Sequence, residues 1–172
     1  GTTTGSAMLA DHVALTGMNK DDRTGEGVAA IGDVNGDGHG DVAVGATDYD
    51  QERGRAYILF GPVTSSRTLA DAAATVDGGS WNRLGSDIAG PGDVDADGID
   101  DVLLAGHATD AAWMFYGMTP GTWTTADAHV TFLGEVESVS GAGDMDGDGA
   151  ADVLLGAPAA NQAFVVYGGS RL

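Results

Sequence analysis

Short apolar runs closed by glycine or a polar turn recur along the chain, and their length and period decide the fold class. Val28-Ala29-Ala30-Ile31-Gly32, Asp41-Val42-Ala43-Val44-Gly45-Ala46, Asp101-Val102-Leu103-Leu104-Ala105-Gly106 and Asp152-Val153-Leu154-Leu155-Gly156-Ala157 have the length and the branched side chains of buried strands. A second set ends in an aromatic residue followed by glycine: Tyr57-Ile58-Leu59-Phe60-Gly61, Trp113-Met114-Phe115-Tyr116-Gly117 and Phe164-Val165-Val166-Tyr167-Gly168. No stretch keeps a helical period, and 29 glycines in 172 residues oppose helix throughout. The pattern predicts an all-β protein.

The runs come in three units. Between an entering and a leaving run lies a polar nonapeptide, beginning at Asp33, Asp93 and Asp144, and these starts are 60 and 51 residues apart. An Ala-Asp run precedes each one, at 10–15, 70–75 and 126–131, opening with Ala10-Asp11, Ala70-Asp71 and Ala126-Asp127. Counting that run as a first strand, each unit offers four strands. Four short antiparallel strands per unit are the signature of a propeller blade, so the expectation is three four-stranded antiparallel blades in one domain, 1–172, with approximate repeats 8–62, 68–118 and 124–169. Gly61-Pro62-Val63-Thr64-Ser65-Ser66-Arg67 and Gly117-Met118-Thr119-Pro120-Gly121-Thr122 join the units.

The nonapeptides carry the candidate chemistry. Asp33, Asn35, Asp37 and Asp41, then Asp93, Asp95, Asp97 and Asp101, then Asp144, Asp146, Asp148 and Asp152 set polar oxygens at positions 1, 3, 5 and 9. His39, Ile99 and Ala150 stand at position 7, where a backbone carbonyl adds a further oxygen. Carboxylates crowded into so tight a turn repel one another unless a hard cation with about 6–8 oxygen ligands sits among them, so the pattern predicts about three Ca²⁺ sites. The helix-loop-helix calcium hand is excluded. It needs a Glu at position 12, and here that position holds Val44, Leu104 and Leu155 on β-favouring runs.

Charge sharpens this reading. Seven Lys and Arg face 26 Asp and Glu, a net charge of −19 that argues against nucleic acid or an anionic membrane as partner. Eleven of those acids occupy ligand positions in the three loops. With no cysteine there is neither a disulfide nor a thiolate-zinc framework, and no apolar run is long enough to span a bilayer. Gly1 opens no charged-then-apolar leader, which fits a trimmed secreted chain or an excised piece. Loops of this kind suit millimolar calcium, so the expected address is extracellular, secreted or on a cell surface, or else periplasmic.

At these residues the chain resembles the FG-GAP repeats of integrin α-subunit propellers and of bacterial secreted and surface proteins. Gly143-Asp144-Met145-Asp146-Gly147-Asp148-Gly149 through Gly156-Ala157-Pro158 is similar to that family's calcium loop and Gly-Ala-Pro element. The first two units lack the proline, with Gly45-Ala46-Thr47 and Ala105-Gly106-His107 in its place. The resemblance implies a calcium-stabilised β-propeller for adhesion or ligand binding and no chemistry of its own.

Other functional patterns fit the residues less well. Paired glycosidase carboxylates would not recur with regular spacing in every unit. Gly25-Glu26-Gly27-Val28-Ala29-Ala30 follows a polar run instead of a strand and opens no helix, so it is not a dinucleotide fingerprint. His12, His39, His107 and His129 are scattered without ligand spacing. Trp81-Asn82-Arg83 and Trp123 lie in polar contexts and form a candidate ligand platform, with blade packing the alternative. The expected function is a non-enzymatic binding or structural module. Its alternatives are a glycan-binding lectin and the accessory domain of a larger secreted hydrolase. Three blades cannot close a ring, so the expected partners, besides a protein or glycan ligand, are further copies forming a ring or filament, or further repeats of a longer chain.

Overall fold

The computed structural model describes residue 9 and residues 12–107 and 111–169. Among these residues strands dominate, and they fall into four sheets, none of them closed on itself. Two-residue strands β1 (Leu15–Thr16) and β5 (Arg67–Thr68) pair in parallel. The first large sheet takes β2 (Thr24–Gly32), β3 (Asp41–Ala46), β4 (Arg55–Leu59), β6 (Ala74–Asp77) and β10 (Gly121–Thr124). The second takes β7 (Leu84–Gly92), β8 (Asp101–Gly106), β9 (Ala111–Phe115) and β11 (Val130–Leu133). The third holds β12 (Ser138–Gly143), β13 (Asp152–Ala157) and β14 (Gln162–Val166).

The class is all-β, as the apolar runs imply, but the sheets are not three sets of four. They hold five, four, three and two strands. The difference arises at the Ala-Asp runs. The runs 70–75 and 126–131 open in 3₁₀ turns, Leu69–Asp71 and Thr125–Asp127, and only their last two residues, Ala74-Thr75 and Val130-Thr131, enter strands. Thr68 Oγ1 accepts from Ala70 N at 3.3 Å, and Asp127 Oδ2 accepts from both Thr124 N and Thr124 Oγ1 at 2.8 Å. Small polar side chains thus offer the backbone a local partner in place of a ladder. The strands that follow, β6 and β11, pair antiparallel with β4 and β9, the last strands of the preceding units. Each of these units therefore lends a strand backwards. Of the first run, 10–15, residues 10 and 11 lie outside the described residues and Leu15 opens β1; residues 1–5 and 170–172 also lie outside them.

The sheets stack in chain order on two cores, and a third apolar cluster, of Val44, Ala46, Tyr57, Leu59 and Leu69, packs against the outer face of the first sheet. Ile31, Ala43, Ala56, Ile58 and Val76 of the first sheet meet Ile88, Val102, Leu104, Trp113 and Phe115 of the second. Leu103, Ala112 and Met114, from the opposite face of the second sheet, meet Val139, Val153 and Leu155 of the third. The leading strands approach most closely. A Cβ on Gly45 or Gly27 would run into the Gly85 carbonyl oxygen, and one on Gly141 would lie 2.8 Å from Pro91 Cα. Glycine at these places lets backbone pack on backbone, while bulky residues on β9 fill the wider part of the wedge.

Backbone bonds also tie each polar loop to the next. Asp100 N donates to Asp33 O at 3.3 Å, and Ala151 N donates to Asp93 O at 2.8 Å. One residue beyond the aromatic-Gly step, Met118 N donates to Val34 O at 2.6 Å and Gly169 N to Val94 O at 2.7 Å. Pro62 holds the corresponding place in the first unit and has no N–H to donate. The two outermost faces of the stack remain partly open: Val28 on the first sheet is 65% exposed, and Leu154 and Val165 on the third are 37% and 41% exposed.

Candidate metal centre

All three nonapeptides adopt one hydrogen-bond pattern, which follows from where their carboxylates fall. The position 1 carboxylate accepts from two backbone amides across the turn: Asp33 from Asp37 N at 3.0 Å and Gly38 N at 2.7 Å, and Asp93 from Asp97 N at 3.0 Å and Gly98 N at 2.8 Å. Asp144 does the same with Asp148 N at 3.1 Å and Gly149 N at 3.0 Å. The position 3 side chains of Asn35, Asp95 and Asp146 accept from the position 5 amide at 2.9, 3.2 and 3.3 Å. The position 5 carboxylates of Asp37, Asp97 and Asp148 accept from the position 7 amides of His39, Ile99 and Ala150 at 2.9, 2.8 and 2.9 Å. Left-handed Gly36 and Gly38, and their counterparts Gly98, Gly147 and Gly149, let the chain turn this sharply, and Ala96 takes the same conformation at φ 63°.

Position 9 is different in kind. Asp41, Asp101 and Asp152 are at most 1% exposed, and both oxygens of each carboxylate accept a backbone amide. One bond comes from position 2, from Val34 N at 3.0 Å, Val94 N at 2.7 Å and Met145 N at 2.7 Å. The other comes from the glycine of the aromatic-Gly step, from Gly61 N at 2.7 Å, Gly117 N at 2.9 Å and Gly168 N at 2.9 Å. The sequence repeats that glycine after each loop, 20 residues beyond position 9 in the first unit and 16 in the others, without disclosing the bond that explains it. Position 9 therefore locks the loop to the end of the sheet's third strand.

Burial and mutual repulsion act together on Asp41 and Asp101. Burial pushes the Asp101 carboxyl up to about 6 although the Val94 and Gly117 amides oppose the shift, and Asp93 and Asp95 raise it further. Burial raises Asp41 in the same way, followed by the smaller repulsion of Asp37 and Asp33. Carboxylates held together in this way could hold a hard cation. Asp93, Asp95 and Asp101 bring oxygens within 4.8 Å of one another, and so do Asp144, Asp146 and Asp152. The residues at positions 1, 3 and 9 thus converge. Asp97 and Asp148 at position 5 stand outside those trios, and the first loop has only two acids at the three converging positions, with the neutral Asn35 between them.

At position 7, His39 does more than its place in the loop implies, since its Nδ1 lies 3.2 Å from Asp37 Oδ1. Ile99 turns to the neighbouring loop, with Cδ1 3.8 Å from where a Cβ on Gly36 would lie, and Ala150 is 2% exposed.

The tryptophan platform separates into two places. Trp123 is half-buried, meets Phe115 edge-on at 6.1 Å and donates from Nε1 to Thr119 O at 3.2 Å, so it packs the first core. Trp81 is 64% exposed in the turn before β7. Arg83 beside it pairs with Glu52 at 3.0 Å, and Asn82 closes its own turn, its amide nitrogen donating to Ser80 O and its carbonyl accepting from Gly79 N, both at 3.1 Å. No helix among the described residues is long and apolar enough to cross a membrane.

Comparison with known proteins agrees with this geometry. The FG-GAP repeat family matches residues 24–59, and the FG-GAP-like repeat family matches residues 93–155, so both matches fall on the loop-and-sheet units. The chain is 30% identical over 166 residues to integrin alpha-IIb of Homo sapiens, an alignment covering 79% of this chain and 15% of that protein. It is 27% identical over 167 residues to integrin alpha pat-2 of Caenorhabditis briggsae, covering 81% of this chain and 14% of that protein. Integrin alpha-4 of Xenopus laevis is 30% identical over 142 residues, covering 73% and 13%. The chain thus spans about one seventh of the length of these relatives.

Proposed function

Because this chain is an FG-GAP repeat protein whose repeats are like those of integrin α-subunits, we propose that it is a non-enzymatic, calcium-clipped ligand-binding module working outside the cell. The observation that carries the calcium assignment is the convergence of Asp93, Asp95 and Asp101, and of Asp144, Asp146 and Asp152, around a buried position 9 carboxylate. Each loop would hold one ion through positions 1, 3 and 9, with position 5 and the carbonyl of position 7 completing the oxygen set. The ion would balance the buried charge and stiffen the turn between the first two strands of each unit. Carboxylates committed to backbone amides are placed for structure more than for proton transfer, which supports the non-enzymatic reading. The adhesive role follows from the likeness to integrin α-subunits, and the extracellular address from that likeness and from the calcium range such loops suit. The open faces of the first and third sheets would be covered by another unit of the same repeat, supplied by a second copy or by further repeats of a longer chain.

Thermal unfolding with calcium and with chelator tests the assignment. A site in about hundredfold excess of calcium over its dissociation constant adds about 2.7 kcal/mol, so the midpoint is expected to rise clearly with calcium. Calorimetric titration is expected to show three sites, the first loop weakest because Asn35 contributes no charge. An unchanged midpoint overturns the calcium assignment.

A further inference from the structure

At the end of the first sheet opposite the metal loops, two turns build a second candidate site. The six-residue strand β3 has the first metal loop before it and residues 47–54 after it, which puts the two ends roughly 20 Å apart. There the turn 49–54 meets residues 78–83, and between them lies a cleft of about 330 Å³ lined by Asp50, Gln51, Arg53, Ser80 and Trp81.

The backbone here is strained and held. Asp50, Gln51, Glu52, Trp81 and Arg83 have φ of 45°, 62°, 64°, 64° and 48°, five of the nine left-handed non-glycine residues among those described. Such conformations persist only where the surroundings impose them. Those surroundings are visible: Arg83 N donates to Glu52 O at 2.9 Å, Leu84 N to Arg53 O at 3.1 Å, Gly78 N to Gly54 O at 3.0 Å and Gly54 N to Tyr49 O at 3.1 Å. The Arg83 guanidinium spans the gap, reaching Glu52 at 3.0 Å and Asp48 at 3.7 Å. The two turns form one rigid frame, yet the indole it carries is left largely in solvent.

We propose that this cleft binds a neutral carbohydrate, with Trp81 stacking on the C–H face of a pyranose ring and Asp50, Gln51, Arg53 and Ser80 bonding its hydroxyls. The lining suits such a ligand: one flat apolar surface, then a carboxylate, an amide, a guanidinium and a hydroxyl, all planar or compact donors and acceptors. Asp50 and Arg53 pair at 3.2 Å, so neither presents an unbalanced charge, and the chain's −19 disfavours uronic, sialylated or sulfated sugars. A protein partner would need roughly 800 Å² of complementary surface and an apolar anchor pocket, whereas this cleft is small, polar and preorganised.

The inference names a ligand class for the module proposed above and rests on that reading, while its test uses a different readout from calcium. The intact chain in millimolar calcium is titrated with cellobiose, maltose, lactose and chitobiose as neutral disaccharides, by calorimetry and by acrylamide quenching. At least one is expected to bind and to shield Trp81, the exposed tryptophan beside half-buried Trp123 and buried Trp113. Trp81→Ala is expected to weaken binding at least tenfold with calcium stabilisation unchanged, and Trp81→Phe to retain most of the affinity. If no disaccharide binds at 10 mM, or Trp81→Ala binds as well as the wild type, the proposal is overturned and the exposed indole passes to a protein partner. Calcium stabilisation in the same samples reports separately on the module.

Discussion

Asp101 accepts Val94 N and Gly117 N with its two oxygens while fully buried, and it also belongs to a trio of converging carboxylates. Substitution by Asn keeps one acceptor and sets an amide N–H₂ against a backbone donor, so one buried N–H loses its partner at a cost of about 1–3 kcal/mol. Without a cation that loss is partly offset. The folded carboxyl titrates at about 6, above its ordinary value, so at pH 7 the fold holds an anion it disfavours, and the neutral amide relieves it. With calcium bound there is no such relief, and a ligand is lost as well. Asp101→Asn is therefore expected to cost on the order of 2 kcal/mol in calcium and markedly less in chelator, measured by urea unfolding at pH 7. Equal losses in both conditions would leave Asp101 a purely structural hydrogen-bond acceptor.

Gly45 on β3 stands where a side chain would strike the Gly85 carbonyl, whereas a Cβ on Gly40, in the first loop, would meet nothing within 4 Å. Gly45→Ala must push two sheets apart along backbone that cannot rotate away, at about 1–3 kcal/mol. Gly40→Ala is expected to be near neutral. Thermal midpoints of the two variants check the comparison, and equal midpoints would mean that the sheets are not packed this closely in solution. Such contacts mark the limit of what the sequence discloses. The strands that leave the loops were legible because Asp41, Asp101 and Asp152 each open a run of apolar residues bounded by glycine. Crowding of acids into one turn was legible, but not that positions 1, 3 and 9 converge while Asp97 and Asp148 at position 5 accept from the position 7 amides. The pairing of β6 and β11 with the preceding unit was not, since a short strand's own residues do not name its partner, and Thr68 and Thr124 begin capped turns that resemble strand starts in sequence. Trp81 and Trp123 look alike in sequence as well. Phe115, brought to Trp123 from another sheet, tells them apart.

Across the whole molecule, the two open faces have complementary origins. Val28, Val42 and Val44 on the first sheet occupy the places of Ile88, Val102 and Leu104, which in the second sheet pack on the sheet before; Val44 is already buried in a cluster with Leu69, so Val28 is the large residue left open here. Ser140, Leu154, Gly156 and Ala163 on the third sheet occupy the places of Ala29, Ala43, Gly45 and Ala56, the face that in the first sheet receives the sheet after. A second copy can therefore meet the first head to tail, burying Leu154 against Val28. Light scattering on eluting protein in millimolar calcium is expected to show masses above 17.2 kDa that rise with concentration and fall for the double variant Val28→Asp, Leu154→Asp. A monomer across the whole range would mean that only further repeats of a longer chain cover these faces.

Pro62 gives that contact a kinetic character. Every internal junction is fastened by two amides given back to the preceding loop, from Asp100 and Met118 at one and from Ala151 and Gly169 at the other. A copy that arrives with its first unit foremost can offer Gly40 N in the first role, but in the second it brings an imino acid with nothing to give. Joints along one chain are thus zipped, while joints between chains are half-zipped and reopen first. Copies carrying different fluorophores should trade places on mixing, long before any sheet within a chain comes apart.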